Sequence, residues 1–305
     1  MSKKIQKKII LLFGPTASGK SKLAVDIAEE FNGEIINADS MQVYKELKIL
    51  TARPNKKDQK NIKHHLYGFQ SVAKNFSTGA WLKLVFKKIK EIKKKNKIPI
   101  IVGGTGLYFK SLTEGLVQIP IIPIKFRNKI RSLQKAIGQK KFYSQLVKMD
   151  SNVEKIININ DVQRSIRAFE IKKYTKLSMK KWFKKTKPTF DKNSFIKMYI
   201  DFPREDLVHR IKKRVDKMFK DGAVLEVRNF NRLRVKKDNS ANKVIGVQEI
   251  GKYLSKEFDL GTAKEKIYIK TRQYAKRQTT WSRGQMSTWE KIDPIDLKFV
   301  LKKFK

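Results

Sequence analysis

An α/β fold, with a parallel sheet flanked by helices and an all-helical segment inserted into it, is what this 305-residue sequence predicts. Three observations carry that prediction. A glycine-rich turn, Gly14-Pro15-Thr16-Ala17-Ser18-Gly19-Lys20-Ser21, stands between a compact apolar run and a helical pattern. Apolar runs then alternate with amphipathic stretches through the first third of the chain, and the strand pattern returns at residues 194–202. Between them, residues from about 125 to 185 read as helix only. Strand–helix–strand order of this kind gives a parallel sheet covered on both faces, with ligands at the carboxyl ends of its strands.

The elements follow in order. "KKIILLF" is a short solid apolar run, the mark of a parallel strand buried on both faces. "SGKSKLAVDIAEEF" spaces Leu23, Ile27 and Phe31 as one helical face. "GEIINADS" is a second strand. "STGAWLKLVFKKIKEIKKKNK" opens on Ser77 or Thr78 as N-cap and carries Leu82, Val85, Ile89 and Ile92 as its apolar stripe. "IPIIVGG" is a third strand. Near residue 117 the character changes, because "VQIPIIPIKF" holds two prolines and cannot continue a regular element. In the helical part, "NDVQRSIRAFEIKKY" has Asn160 as N-cap with Gln163 three places on, a capping-box spacing, and Val162, Ile166 and Phe169 as its inner face. "SFIKMYIDF" is a strand, followed by helices around 205–221, 223–234 and 262–282. The first of these turns Leu207, Ile211, Val215 and Met218 inward and leaves His209 exposed. Residues 1–116 and 195–305 are therefore expected to form a catalytic core, and 117–194 an inserted helical domain.

Composition narrows the partners. Lys and Arg number 71 against 28 Asp and Glu, a formal charge of +43. Such a charge repels itself in a compact fold and attracts polyanions, so nucleic acid leads the partner classes. Cysteine is absent, which excludes disulfides and thiolate metal sites and suits a reducing, cytoplasmic setting. The opening "MSKKIQKKIILLFG" is basic and then apolar, but the apolar run is shorter than the core of a signal peptide. No apolar stretch reaches the roughly 18 residues that a membrane span needs. Nothing suggests an apolar interface, so a monomer is expected.

Gly14 to Ser21 fits the spacing G-x-x-x-x-G-K-[ST] between strand and helix, which makes the sheet P-loop NTPase-like. Its backbone N–H groups and the helix N-terminus form an anion cradle. Lys20 adds a full charge, and the Ser21 hydroxyl can ligate Mg²⁺. The motif does not distinguish a nucleotide from another diphosphate. Asp39 falls at the end of the second strand, on the edge where the cradle opens. It reads as a turn cap, a magnesium-binding carboxylate or a general base. "VGGTGLYFK" reaches the same edge, where Thr105 can hydrogen-bond a ligand. Further on, Lys270, Tyr274, Arg277 and Trp281 share one helical face, and Arg272, Lys276, Thr279 and Arg283 the next. Cations alternating with aromatics suit a nucleic-acid backbone and stacked bases.

Taken together, GPTASGKS, INADSMQVY and IIVGGTGLYFK, in that order, resemble the bacterial tRNA dimethylallyltransferase family. NDVQRSIRAFEI, RIKKRVDKMFKDGAVLEV, NKVIGVQEI and TRQYAKRQTTWSRGQ extend the resemblance over nearly the whole chain. The resemblance implies that the cradle holds dimethylallyl diphosphate rather than ATP. It implies that N6 of the adenosine just 3′ of the anticodon attacks C1 of the isoprenoid and that pyrophosphate leaves. It implies Asp39 as acceptor of the N6 proton, Thr105 and Arg127 close to the reacting groups, and Mg²⁺ as cofactor. It implies tRNA contact by Asp39, Ser40, Met41 and Gln42, by Gln163, Arg164, Ser165, Ile166 and Arg167 on the anticodon stem-loop, and by Lys276, Arg277, Gln278, Trp281 and Arg283. His64 and His65 match a structural histidine pair. Ile49-Leu50, Lys63 and Val247 depart from the family's usual residues. The rival reading is a P-loop nucleotide or small-molecule kinase with residues 117–200 as a lid; a basic RNA-binding module without catalysis is the third.

Overall fold

A computed structural model describes residues 7–292, so residues 1–6 and 293–305 at the two ends of the expected core lie outside the described residues. Among the described residues six strands form one sheet, all parallel: β1 (Ile9–Phe13), β2 (Gly33–Asn37), β3 (His64–His65), β4 (Ile98–Gly103), β5 (Phe195–Ile200) and β6 (Glu290–Ile292), in the order β3-β2-β4-β1-β5-β6. Every residue of β1, β2 and β4 is buried, and the buried polar residues of β2, Glu34 and Asn37, are hydrogen-bonded. Ile10 pairs with Ile100 and Leu12 with Val102 on one side of β1, and Leu12 with Met198 on the other. The chain leaves β1 for β2 and β3, then returns through β4 to lie beside β1. The carboxyl ends of β1 and β4 are thus neighbours at a switch in strand order, where such sheets bind ligands.

Contacts divide the described residues into two units, residues 7–113 with 190–292, and residues 114–189. In the first unit, helices α1 (Lys20–Glu30), α2 (Lys56–Gln59), α3 (Thr78–Lys94) and α4 (Gly106–Thr113) precede β5. Ser77 caps α3 by accepting the Ala80 N–H at 3.1 Å, and Leu82, Val85, Ile89 and Ile92 are buried beneath it. Each such side chain contributes roughly 1.5–3 kcal/mol on leaving water. After the second unit come α8 (Arg204–Lys220), α9 (Ala223–Arg232), α10 (Val247–Leu254) and α11 (Leu260–Gln285). Leu207, Ile211, Val215 and Met218 face inward on α8, and His209 is exposed.

The second unit consists of α5 (Ile124–Met149), α6 (Val162–Thr175) and α7 (Met179–Lys184) with short turns. Gly138, at φ 76° and ψ 166°, breaks α5 into two helical arms. Its core includes Phe142 stacked on Phe169 at 4.7 Å, with Leu146, Val153 and Ile166. The N-cap of α6 is Asp161, which accepts the Arg164 N–H at 3.0 Å, one residue beyond the expected Asn160. The Asp161 carboxylate stands where it reaches the N3 amide, and Asn160 belongs to the preceding turn. Ile166 and Phe169 are buried as expected, whereas Val162 is half-buried. No helix among the described residues is long and apolar enough to cross a membrane.

Candidate active site

The turn after β1 is built for an anion. Ala17 and Gly19 both take positive φ, 65° and 87°, which bends the backbone so that successive N–H groups face one way before α1 begins. Lys20 is buried at the first turn of α1, and its ammonium donates to the Pro15 carbonyl at 3.1 Å. Burial lowers the Lys20 pKa, Asp39 partly offsets this and Arg214 adds to it, leaving a value of about 8. Ser18 Oγ is buried without a hydrogen-bond partner among the described residues. An orphaned hydroxyl and a strained cation in one cradle are what a phosphate would satisfy.

The edge opposite is fixed by a network of hydrogen bonds. The Asp39 N–H donates to Asn37 Oδ1 at 2.8 Å, and Asn37 Nδ2 donates to the Asp39 and Leu66 carbonyls, each at 3.0 Å. Trp81 Nε1 donates to the Asn37 carbonyl at 2.8 Å and locks the strand end from below. One carboxylate oxygen of Asp39, Oδ1, accepts the Met41 N–H at 2.9 Å. The other has no hydrogen-bond partner among the described residues, so it remains available to a proton donor. Thr105 Oγ1 accepts the Ser40 N–H at 2.9 Å, which ties the loop after β4 to the loop after β2.

α11 closes the site. Gln278 is buried; its Oε1 accepts the Thr16 N–H at 2.9 Å and its Nε2 donates to the Gly104 carbonyl at 2.9 Å. One amide therefore joins the cradle to the β4 loop. A Cβ on Gly104 would stand 2.0 Å from that Nε2, so only glycine admits the contact. Trp281 packs against Phe13 with ring centroids 5.9 Å apart. Around these groups lies a cavity of about 460 Å³. Its polar wall includes Asp39, Thr105, Arg214, Lys243, Tyr274 and Gln278, and its apolar wall includes Phe13, Met41, Leu50, Met218, Ile267 and Trp281. Arg214, from the middle of α8, donates to the Thr51 carbonyl at 3.4 Å, and its buried Nε has no hydrogen-bond partner among the described residues. Burial lowers the Arg214 pKa, with Asp39 opposing. Burial also raises the Tyr274 hydroxyl, and the Asp39 carboxylate raises it further.

A divalent cation has a plausible set of donors here without an acidic cluster. Among the described residues no three His, Asp or Glu side chains gather as a metal site. Mg²⁺ commonly takes one or two protein oxygens and completes its shell with substrate phosphate and water. The exposed Ser21 hydroxyl, next to Lys20 on α1, suits that role.

The sequence-predicted residues divide by their surroundings. Gly14 to Lys20, Asp39, Ser40, Met41 and Thr105 gather at the strand ends, most of them on the cavity or in the cradle that opens onto it. Gln42 is buried and its Nε2 donates to the Thr51 carbonyl at 2.9 Å, while both ends of the buried Gln278 amide are engaged in the clamp. Lys270, read as sharing a helical face with Tyr274, Arg277 and Trp281, pairs with Glu249. Lys276 and Arg277 are exposed, and Arg283 pairs with Asp201 at 3.4 Å. In the helical unit Gln163 and Arg164 are exposed, while Ser165 and Ile166 are buried. Ser165 lies inward because its hydroxyl donates to the Asp161 carbonyl at 2.8 Å, inside the first turn of α6. Arg127 belongs to this unit, where it and Arg167 flank the buried Glu170 at 3.4 and 3.1 Å. His64 and His65 form β3. His65 Nε2 meets Glu34 at 2.7 Å, a buried structural pair. Arg214 escaped the sequence reading. Its signal was an arginine at the flank of an apolar stripe, three after Ile211 and four before Met218.

A P-loop α/β enzyme whose phosphate cradle opens onto a largely apolar chamber holding one carboxylate is the class that fold and site define. The family model described as IPP transferase matches residues 42–285, and the chain belongs to that family. It is 59% identical over 300 residues to a tRNA dimethylallyltransferase of Pelagibacter ubique, covering 98% of this chain and 96% of the relative. It is 42% identical to that of Rickettsia massiliae, covering 92% of this chain and 78% of the relative. Among solved structures, a tRNA isopentenylpyrophosphate transferase from Staphylococcus epidermidis matches with TM-score 0.68 and 32% identity, over 97% of this chain and 96% of that one. A eukaryotic dimethylallyltransferase acting on tRNA matches with TM-score 0.82 and 28% identity, over 95% of this chain and 75% of that one.

Proposed function

We propose that this chain transfers a dimethylallyl group from dimethylallyl diphosphate to N6 of the adenosine 3′ of the anticodon in tRNA, releasing pyrophosphate. The observation that carries the reading is the join of a phosphate cradle to a mostly apolar chamber with Asp39 on its wall. A diphosphate with a short hydrocarbon tail matches both halves.

An exocyclic adenine amine is a weak nucleophile, because its lone pair is delocalised into the ring. As N6 bonds to C1, the C1–O bond breaks and its electron pair goes to the diphosphate. The N6 proton goes to the free oxygen of Asp39, a transfer of the kind that contributes about 10²–10⁴-fold. Charge building on the leaving group meets Lys20, the backbone N–H groups of the turn and Arg214. Mg²⁺, held by Ser21 and the substrate's own oxygens, would neutralise further negative charge there. Thr105 keeps the Asp39 loop in place through Ser40. The target base must be unstacked to reach the chamber, which costs least in an unpaired loop. Exposed Lys276, Arg277, Gln163 and Arg164 supply tRNA contacts, and the helical unit takes the anticodon stem-loop. Arg127's assignment to the reaction rests on the resemblance alone.

Incubating the protein and Mg²⁺ with bulk tRNA, and in parallel with prenyl-labelled dimethylallyl diphosphate or γ-labelled ATP, tests the reading. Prenyl label in N6-dimethylallyladenosine after nucleoside digestion is expected. Phosphate label from ATP, with no prenyl label, would establish the kinase reading instead.

A further inference from the structure

We propose that the helical unit carries a second phosphate site, a lysine-rimmed hollow that takes a phosphodiester of the bound RNA. The hollow measures about 290 Å³ and lies where the last turn of α5, the end of α6 and the start of α7 meet. Lys148, Lys172, Lys176 and Lys181 line it, with Asp150 and Ser178 between them. Lys176 stands in the left-handed region, φ 61°, which ends α6 and turns the chain around the hollow. Lys172 Nζ donates to the Lys176 carbonyl at 3.3 Å.

Three features point to a phosphate group. First, the charges are not matched by the protein. Some exposed lysines elsewhere sit on carboxylates, as Lys217 does with Asp221 at 2.9 Å and Lys252 with Glu257 at 3.1 Å. None of the four around the hollow has a carboxylate oxygen within 4.0 Å among the described residues. Asp150 is the single acid of the lining, so four ammonium groups against one carboxylate leave three positive charges in excess. Like charges around one void repel unless an anion lies among them. Second, the lining has one apolar residue, Met149, and no aromatic, so it offers nothing on which a base can stack. Third, the volume is at the bottom of the roughly 300–1,000 Å³ range of small-molecule pockets. It suits a phosphate with water rather than a whole nucleotide. Lysines serve phosphate as adaptable point charges.

RNA is the source of that phosphate, a choice that rests on the function proposed above. Lys172 is eight residues beyond Arg164 on the same helix, about 12 Å along its axis. α6 thus presents cations at both ends, spaced to follow a nucleic-acid backbone.

The test measures tRNA binding by filter retention, without prenyl donor, from about 50 to 200 mM salt. The proteins are the wild type, Lys148→Gln/Lys181→Gln, and Lys83→Gln/Lys90→Gln as a pair on exposed positions of α3. One lost phosphate contact should flatten the slope of log K against log salt by roughly 0.7 to 0.9. The α3 pair should leave the slope unchanged, and the pocket pair should keep kcat at saturating tRNA. Equal flattening by both pairs, or none by the pocket pair, overturns the proposal. So does a pocket pair that loses affinity for inorganic phosphate while keeping the full tRNA slope. Wild-type protein that binds tRNA but does not prenylate it overturns the proposed function and leaves this slope comparison decisive for the hollow.

Discussion

Gln278 is the joint on which the cradle's geometry depends, and replacing it gives a calculable effect. Its amide accepts from Thr16 N–H and donates to the Gly104 carbonyl, both at 2.9 Å and both out of water. Gln278→Ala removes two hydrogen bonds worth about 1 kcal/mol each and leaves a buried donor and a buried acceptor unpaired, at about 1–3 kcal/mol apiece. The lost bonds are contained in the orphan penalties, and partial relaxation reduces the sum, so a loss of about 2–4 kcal/mol is expected. Urea unfolding at constant m-value measures it. The same change loosens Thr16 in the cradle, so KM for the prenyl donor should rise by tenfold or more. Gln278→Glu keeps the acceptor for Thr16 but sets an oxygen against the Gly104 carbonyl and a charge beside the diphosphate. It should retain more stability than the alanine variant and bind the donor more weakly still. A Gln278→Ala protein within about 0.5 kcal/mol of wild type, with unchanged KM, would refute the clamp.

Three further outcomes are expected. Lys20 has a pKa of about 8 in the free site against 10.5 unfolded, so the free protein should gain stability as pH rises from 8 to 10.5 and lack that contribution below 8. A bound diphosphate restores the charge. Donor binding near pH 8.5 should therefore take up a proton in wild type but not in Lys20→Arg, which calorimetry in two buffers of different ionisation enthalpy detects. Burial, against the opposing pull of Glu34, lowers His65; burial raises Glu34, but His65, Lys95 and Lys97 outweigh it and lower the carboxyl overall. Both shifts place more protons on the unfolded chain, so stability should fall as pH drops below 6.5 and again below 4.5; Glu34→Gln should flatten the second fall in a urea-midpoint series, and an unchanged profile would contradict the pairing. Gly106→Ala puts a Cβ 2.4 Å from the Trp281 ring, so it should shift tryptophan fluorescence and impair turnover, whereas an active, spectrally unchanged variant would mean that Trp281 can yield.

The sheet was largely legible in the sequence because strands buried on both faces are compact apolar runs, as β1 and β4 are, with Ile35-Ile36 marking β2. The cradle was legible because its geometry is local: positive φ, small residues and one lysine over eight positions. β3 and β6 were not, since two histidines and Glu-Lys-Ile carry no periodicity, and only the neighbouring strands make them strands. α10 was not assigned from the sequence, since it is short and Gly251 within it weakens the helical signal. The resemblance assigned Gln42 and Gln278 to RNA, but nothing in the local sequence marks either side chain as buried. The partner that buries Gln278 lies 262 residues away, and no local pattern reports it. The same holds for Arg214, whose meaning comes from facing Asp39 and Lys20 across the cavity.

Single-turnover prenyl transfer by Asp39→Asn, from a preformed complex with tRNA and saturating donor, tests the convergence of carboxylate and cradle most directly. The amide preserves the acceptor for Met41 N–H and removes the base, so the rate should fall at least a hundredfold while tRNA affinity stays within a factor of three. A rate within a few-fold of wild type would show that the adenine proton departs elsewhere.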